Sequence, residues 1–129
     1  MPAKISHTPD GGIIVQAEGV VKAEDMIEIN GLMYETKEKI EKIIYQIIDF
    51  TGIQDFSYTD ADIDMMAFQD KRAYDINPNM LIAVVSDQDL LFGLARMWEA
   101  KALSPLFRTK VFRKLEDAQI WINEKLKST

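Results

Sequence analysis

Two short runs constrain the fold of this chain more than any other feature: Ile43-Ile44-Tyr45-Gln46-Ile47-Ile48 and Met80-Leu81-Ile82-Ala83-Val84-Val85. Both are nearly continuous apolar stretches, the first of them heavily β-branched. A strand with one wet face alternates apolar and polar residues. A strand that reads as these do is covered on both faces, as in a parallel sheet with helices above and below it.

The rest of the chain supplies the elements that such a sheet needs. Residues 4–8 and 13–18 read as two strands joined by the turn Pro9-Asp10-Gly11-Gly12, which predicts an antiparallel hairpin. Met26, Ile29 and Met33 recur at helical spacing within residues 22–38, with Gly31 a local weakness. Residues 49–61 are polar and turn-rich and read as a loop. A helix is expected over residues 62–74, with Ile63, Met66, Ala67 and Ala73 on its inner face and Asn77-Pro78-Asn79 ending it. Ser86-Asp87-Gln88-Asp89 has the spacing of a capping box, opening a helix over residues 89–102 that is apolar around much of its circumference. Ser104-Pro105 breaks that helix, residues 106–113 make a further strand, and Leu115, Ala118, Ile122 and Leu126 form the inner stripe of a last helix. The predicted order is β-β-α-β-α-β-α-β-α, an α/β fold with a mixed sheet and right-handed crossovers, in one domain over residues 1–129.

Composition narrows the function classes. The 129 residues are 47% hydrophobic and 28% charged, an ordinary globular balance. A formal net charge of −6 disfavours nucleic acid and anionic membrane as partners. Lys37, Lys39 and Lys42 alternate with Glu35, Glu38 and Glu41, the pattern of a solvated helix end. No apolar run approaches the roughly 20 residues that cross a bilayer. With no cysteine and no secretory pattern in residues 1–7, a soluble protein in the cytoplasm is expected.

The order of elements resembles the STAS fold. Several stretches resemble the SpoIIAA-like family in particular, a bacterial group also described as STAS/SEC14-like. They are Ile48-Asp49-Phe50-Thr51-Gly52-Ile53, then Ile82-Ala83-Val84-Val85 after Asn77-Pro78, then residues 93–100 (Gly93-Leu94-Ala95-Arg96-Met97-Trp98-Glu99-Ala100), and finally residues 111–118 with Trp121. The resemblance implies a non-catalytic regulatory or protein-interaction module. In the anti-sigma-factor antagonists of this fold, the loop after the central strand carries an Asp-Ser-Ser-Gly motif whose serine is a phosphorylation switch. The matching stretch here is Ser57-Tyr58-Thr59-Asp60, with Tyr58 where the switch serine would be and Asp60 in place of the glycine.

Ligands of parallel α/β sheets favour the carboxyl ends of the strands, which directs attention to Ser57, Tyr58, Thr59 and Asp60 and to the segment with Asp87. Those residues suit a partner surface, a ligand lip or a phosphoacceptor, and equally the capping of a helix start. Arg96 could hold a carboxylate or phosphate, or lie on the solvent side and pair with Glu99. Asp60, Asp62 and Asp64 alternate as in a calcium loop, but Met65 stands where an EF-hand needs glycine and Lys71 where it needs glutamate, so no metal is expected. Acidic residues at both helix starts and the lack of a glycine-rich cradle disfavour nucleotides. His7 is the only histidine and has no cysteine to work with.

No nucleophile and base pair, metal triad or phosphate loop is apparent, so neither catalytic residues nor a cofactor are assigned. The partner is expected to be a regulatory protein. The alternative is a small apolar or amphipathic ligand between helix and sheet, near Trp98, Trp121 and the seven methionines. An enzyme of unassigned class is the third reading. A homodimer is compatible with a small domain bearing apolar helices.

Overall fold

The computed structural model describes residues 2–104 and 107–128. It contains β1 (Ala3–His7), β2 (Gly12–Lys22), α1 (Ala23–Met33), α2 (Lys37–Lys42), β3 (Tyr45–Ser57), α3 (Asp60–Ile76), β4 (Leu81–Val85), α4 (Asp89–Ala102), β5 (Thr109–Phe112) and α5 (Leu115–Lys127). The five strands form one sheet in the order β1-β2-β3-β4-β5. Only the β1–β2 hairpin is antiparallel; β2–β3, β3–β4 and β4–β5 are parallel. This is the mixed α/β sheet that the sequence predicts.

Alternation in the central strands sorts the core onto two faces. Ile48, Ile82 and Val84 meet Met26 and Ile29 of α1, Ile63 and Ala67 of α3, and Leu91, Leu94 and Trp98 of α4. Tyr45, Ile47, Leu81, Ala83 and Val85 turn the other way, onto Ala118 and Ile122 of α5. Among the described residues, α1, α3 and α4, with Ile40 of α2, cover one face and α5 covers the other.

The structure differs from the sequence reading at five places, each with a local cause. The helix expected over residues 22–38 is broken in two. Tyr34 ends α1 with its hydroxyl turned into the core, where it donates to Asp70 at 2.7 Å, and Thr36 starts α2 by accepting from the Lys39 amide at 3.1 Å. The run that opens at Ile43 enters the sheet only at Tyr45 and does not stop at Ile48. β3 continues to Ser57 because β2 also continues, to Lys22, and the two pair to their ends. Most of the segment read as a loop is therefore strand.

The expected capping box at Ser86 does not form. Ser86 is buried, Gln88 is the N-cap of α4 with no side-chain cap, and the Gln88 side chain instead donates to the Ile53 carbonyl at 2.5 Å. The helix expected over residues 62–74 is longer at both ends, since Thr59 and Asp62 form a reciprocal capping box and Asn77 ends it by donating to the Ile40 and Ile43 carbonyls at 2.9 and 2.8 Å. The strand read over residues 106–113 is shorter, and Pro105 and Leu106 lie outside the described residues.

The hairpin turn is tied to the sheet by a polar cluster. Tyr45 donates its hydroxyl proton to Asp10 at 2.7 Å, Thr8 lies 3.0 Å from the same hydroxyl, and the Gly12 amide donates to Thr8 at 2.8 Å. The hydrogen bonds from Thr8 and Tyr45 hold the Asp10 carboxyl below its ordinary range. Gly12 is packed directly against the Tyr45 ring, and a Cβ there would overlap it. Gly12→Ala is expected to displace the ring and lower the unfolding free energy by about 1–3 kcal/mol, as overpacked sites do. Urea titration measures this, and a variant as stable as the parent would mean that the ring can yield at no cost.

Candidate functional site

The site is built at the carboxyl end of β3, where that strand outruns its neighbour. β4 pairs with β3 only from Tyr45 to Asp49, so the remainder of β3 is flanked by β2 on one side and by the start of α4 on the other. Two register shifts interrupt the β2–β3 ladder. Gln16 pairs with Asp49 but Glu18 with Gly52, and Gly19 pairs with Ile53 but Val20 with Asp55. Each shift inserts one extra residue into β3 and changes which face the following side chains take. The buried Asp49 carboxylate supports the first shift by accepting from the Thr51 amide at 2.9 Å and its hydroxyl at 2.7 Å. As a result Phe50, Ile53 and Phe56, three residues apart, all face the helices.

Phe50 stacks on Phe56 with ring centroids 6.1 Å apart, and Phe56 on Tyr58 at 5.8 Å. Behind this ladder lies an apolar cavity of about 60 Å³ between the sheet and α1, α3 and α4. Of its lining, Phe50, Phe56 and Met66 are half-buried and mark its opening, while Leu91 and Trp98 lie deeper.

The cavity holds one ionisable group, Asp70 of α3, which is only 4% exposed. Its two oxygens accept from the Tyr34 hydroxyl and the Trp98 indole N–H, each at 2.7 Å. Tyr34 in turn accepts from the Gln46 amide at 2.6 Å. Burial pushes the Asp70 carboxyl up from 3.8 to about 6, against the pull of the two hydrogen bonds. Burial and the adjacent carboxyl push the Tyr34 hydroxyl well above its ordinary range, so that it remains a donor. No buried side-chain polar atom among the described residues lacks a hydrogen-bond partner.

The residues singled out from sequence are distributed around this site. Ser57 closes β3 and is exposed; Tyr58 is half-buried at the end of the ladder; Thr59 is the N-cap of α3, accepting from the Asp62 amide at 3.2 Å; Asp60 is the first, exposed residue of that helix. Asp87 is exposed in the turn between β4 and α4. The Arg96 side chain is 63% exposed, 3.4 Å from Glu99, and does not line the cavity. Asp64 pairs with Lys101 at 2.7 Å, and no group of acids or histidines suited to a metal occurs among the described residues. Trp98 lines the cavity, whereas Trp121 packs on Phe112 at the other face of the sheet.

Sequence reasoning missed Asp70, Tyr34 and Gln46. A signal was present: Asp70 falls between Ala67 and Ala73 on the inner stripe of α3, where an acid is out of place.

These features define a domain of mixed α/β architecture, and the comparisons with known proteins agree. The SpoIIAA-like family model matches residues 13–123. The chain belongs to the SpoIIAA-like family. Among solved structures it is similar to the anti-sigma factor antagonist SpoIIAA in its unphosphorylated form, with a TM-score of 0.60 over 95% of this chain and 97% of that one. Sequence identity is 7%, so this likeness concerns the fold alone. No curated protein matches the sequence significantly. No helix among the described residues is long and apolar enough to cross a membrane.

The raised Asp70 carboxyl makes stability depend on pH. The folded state keeps this proton over a range where the unfolded chain has lost it. The stabilisation is full below about pH 3.8 and is lost as pH rises through about 6. The interval from 3.8 to about 6 corresponds to about 3 kcal/mol at most. Unfolding free energies measured between pH 4 and 7 should fall more steeply for the parent than for Asp70→Asn, and equal slopes would show that the carboxyl titrates normally.

Proposed function

We propose that this chain is a regulatory interaction module without chemistry of its own, which docks a protein partner through Ser57, Tyr58, Thr59 and Asp60. Asp87 and Arg96 are assigned to the flank of that surface. One observation carries the reading: the Phe50–Phe56–Tyr58 stack ends at a half-buried tyrosine among exposed hydroxyls, where β3 runs beyond β4. Tyrosine in such a position offers a rigid apolar face and a polar tip, the combination that anchors interfaces. The similar solved structure is that of an anti-sigma factor antagonist, which supports a regulatory partner here. The absence of chemistry is supported by the state of Asp70. Both its oxygens are engaged by Tyr34 and Trp98, and it has no second carboxyl in its network.

The second reading, a small apolar or amphipathic ligand, is favoured by the cavity itself. Its volume of about 60 Å³ compares with about 30 Å³ per liquid water and about 300 Å³ or more for a drug-sized ligand cleft. Filling it with a lipid-like molecule requires Met26, Met66 and Leu91 to move aside. The protein-docking reading requires no such rearrangement.

Native mass spectrometry of gently purified protein separates the two. A complex with a second protein that weakens by about tenfold or more in Tyr58→Ala, with unchanged melting temperature, is the expected result for an anchoring aromatic. Retention of a small molecule with no protein partner establishes the second reading instead. The same spectra report a phosphate on Tyr58 or Thr59 and the presence of a homodimer.

A further inference from the structure

At the opposite end of the parallel strands from residues 57–60, the β1 edge of the sheet is unpaired. The hairpin register states which backbone groups face outward. The Glu18 amide donates to the Pro2 carbonyl at 2.8 Å and the Thr8 amide to the Gly12 carbonyl at 2.9 Å, while Lys4 pairs with Gln16 and Ser6 with Ile14. In an antiparallel pair these alternate residues point their N–H and C=O groups at each other, so those of Ala3, Ile5 and His7 point away from β2. β1 is the first strand of the sheet, and among the described residues no strand pairs with its outer side.

The side chains of Ile5 and His7 line a groove of about 420 Å³ that runs from this edge to α1 and α2. The volume falls within the roughly 300–1,000 Å³ of ligand clefts. Its floor is apolar, with Ile13, Leu32, Met33 and Ile43, and Leu32 is 44% exposed. Its charged lining is basic, Lys39 and Lys42, with no carboxylate among the lining residues. Lys39 makes an exposed contact of 3.3 Å with Glu35, a pair weak enough to be exchanged for another acid. A local basic lining on a chain of net charge −6 is a selective feature.

We propose that this edge and groove bind an extended acidic segment of another protein, which adds to the sheet as a sixth strand. Two of the three residues that offer unpaired backbone groups, Ile5 and His7, also line the groove, so main-chain pairing and side-chain recognition act together. An added strand lies about 4.8 Å from β1, and every second side chain of it faces the helices. Apolar residues on that face meet Leu32 and Met33, and acidic residues meet Lys39, Lys42 and, on the outer face, the exposed Lys4. A second copy of this chain is the less favourable occupant through β1 itself, because Ala3-Lys4-Ile5-Ser6-His7 contains no acid. This surface is separate from the one assigned to Tyr58, and either can fail without the other.

A fluorescein-labelled peptide of the repeat Glu-Thr-Val-Thr, which places glutamate and valine in turn on one face of a strand, is the probe, with the lysine-for-glutamate peptide as its control. Binding is expected for the acidic peptide alone, weakening with salt, and falling by about tenfold or more in Lys39→Glu combined with Lys42→Glu. His7→Pro removes an outward amide and leaves the hairpin bonds intact, so it should weaken binding by a similar factor at unchanged melting temperature. Amide exchange gives a readout independent of the variants: the Ala3, Ile5 and His7 amides should exchange rapidly in the free protein and become protected with the peptide. No binding at millimolar peptide, equal binding of both peptides, or binding without that protection overturns the proposal. So does protection already present in a free protein of dimeric mass, which would make a second copy the occupant.

Discussion

The arrangement of the three helices on one face of the sheet depends on a single buried carboxyl. Burying Asp70 costs several kcal/mol unless donors reach both of its oxygens. Those donors come from the end of α1, as Tyr34, and from α4, as Trp98, while Gln46 of β3 supports Tyr34 from below. Four elements distant in sequence must therefore meet at one point. Losing either donor leaves an acceptor unsatisfied in an apolar cavity, at a cost of about 1–3 kcal/mol. On the other face, Ala118 and Ile122 of α5 pack against Tyr45 and the odd-numbered residues of β4.

The break between α1 and α2 falls just beyond this network. Tyr34, four residues after Asn30, lies on the inner face of α1, its amide donating to the Asn30 carbonyl at 2.9 Å. The chain leaves the helix there, turns, and restarts at the Thr36 cap. Asn77 then ties the end of α3 to the end of α2, so that both helices and the entry to β3 share one set of hydrogen bonds.

β3 shows how a sheet can present two unlike surfaces. Its first half is buried between layers and has no access to solvent. Its second half, unpaired with β4 and shifted twice against β2, carries an aromatic ladder outward from the cavity to Tyr58. Family membership accounts for the scaffold. Ser57, Tyr58, Thr59 and Asp60 stand at its projecting end, where three of the four carry hydroxyls. The β1 edge, with its basic groove, is built from different residues at the other end of the strands.

The sequence alone determined the class of fold. Continuous apolar runs at β3 and β4 required a covered parallel sheet, the Gly11-Gly12 turn placed the hairpin, and the stripes of α1, α3 and α5 assigned their inner faces, because each of these signals is local and periodic. What it could not reveal depended on partners far along the chain. The strand beyond Asp49 reads as loop because two bulges space Phe50, Ile53 and Phe56 three residues apart, a period that belongs to neither strand nor helix. Ser86 looks like a cap until burial and the reach of Gln88 to Ile53 remove it from that role. Asp70 was visible as an acid on an apolar stripe, but only the meeting of Tyr34, Trp98 and Gln46 around it decided that it is a buried carboxyl with both oxygens hydrogen-bonded. Hydrogen bonds that span 28 and 36 residues leave no trace in local spacing, and tertiary structure alone brings their ends together.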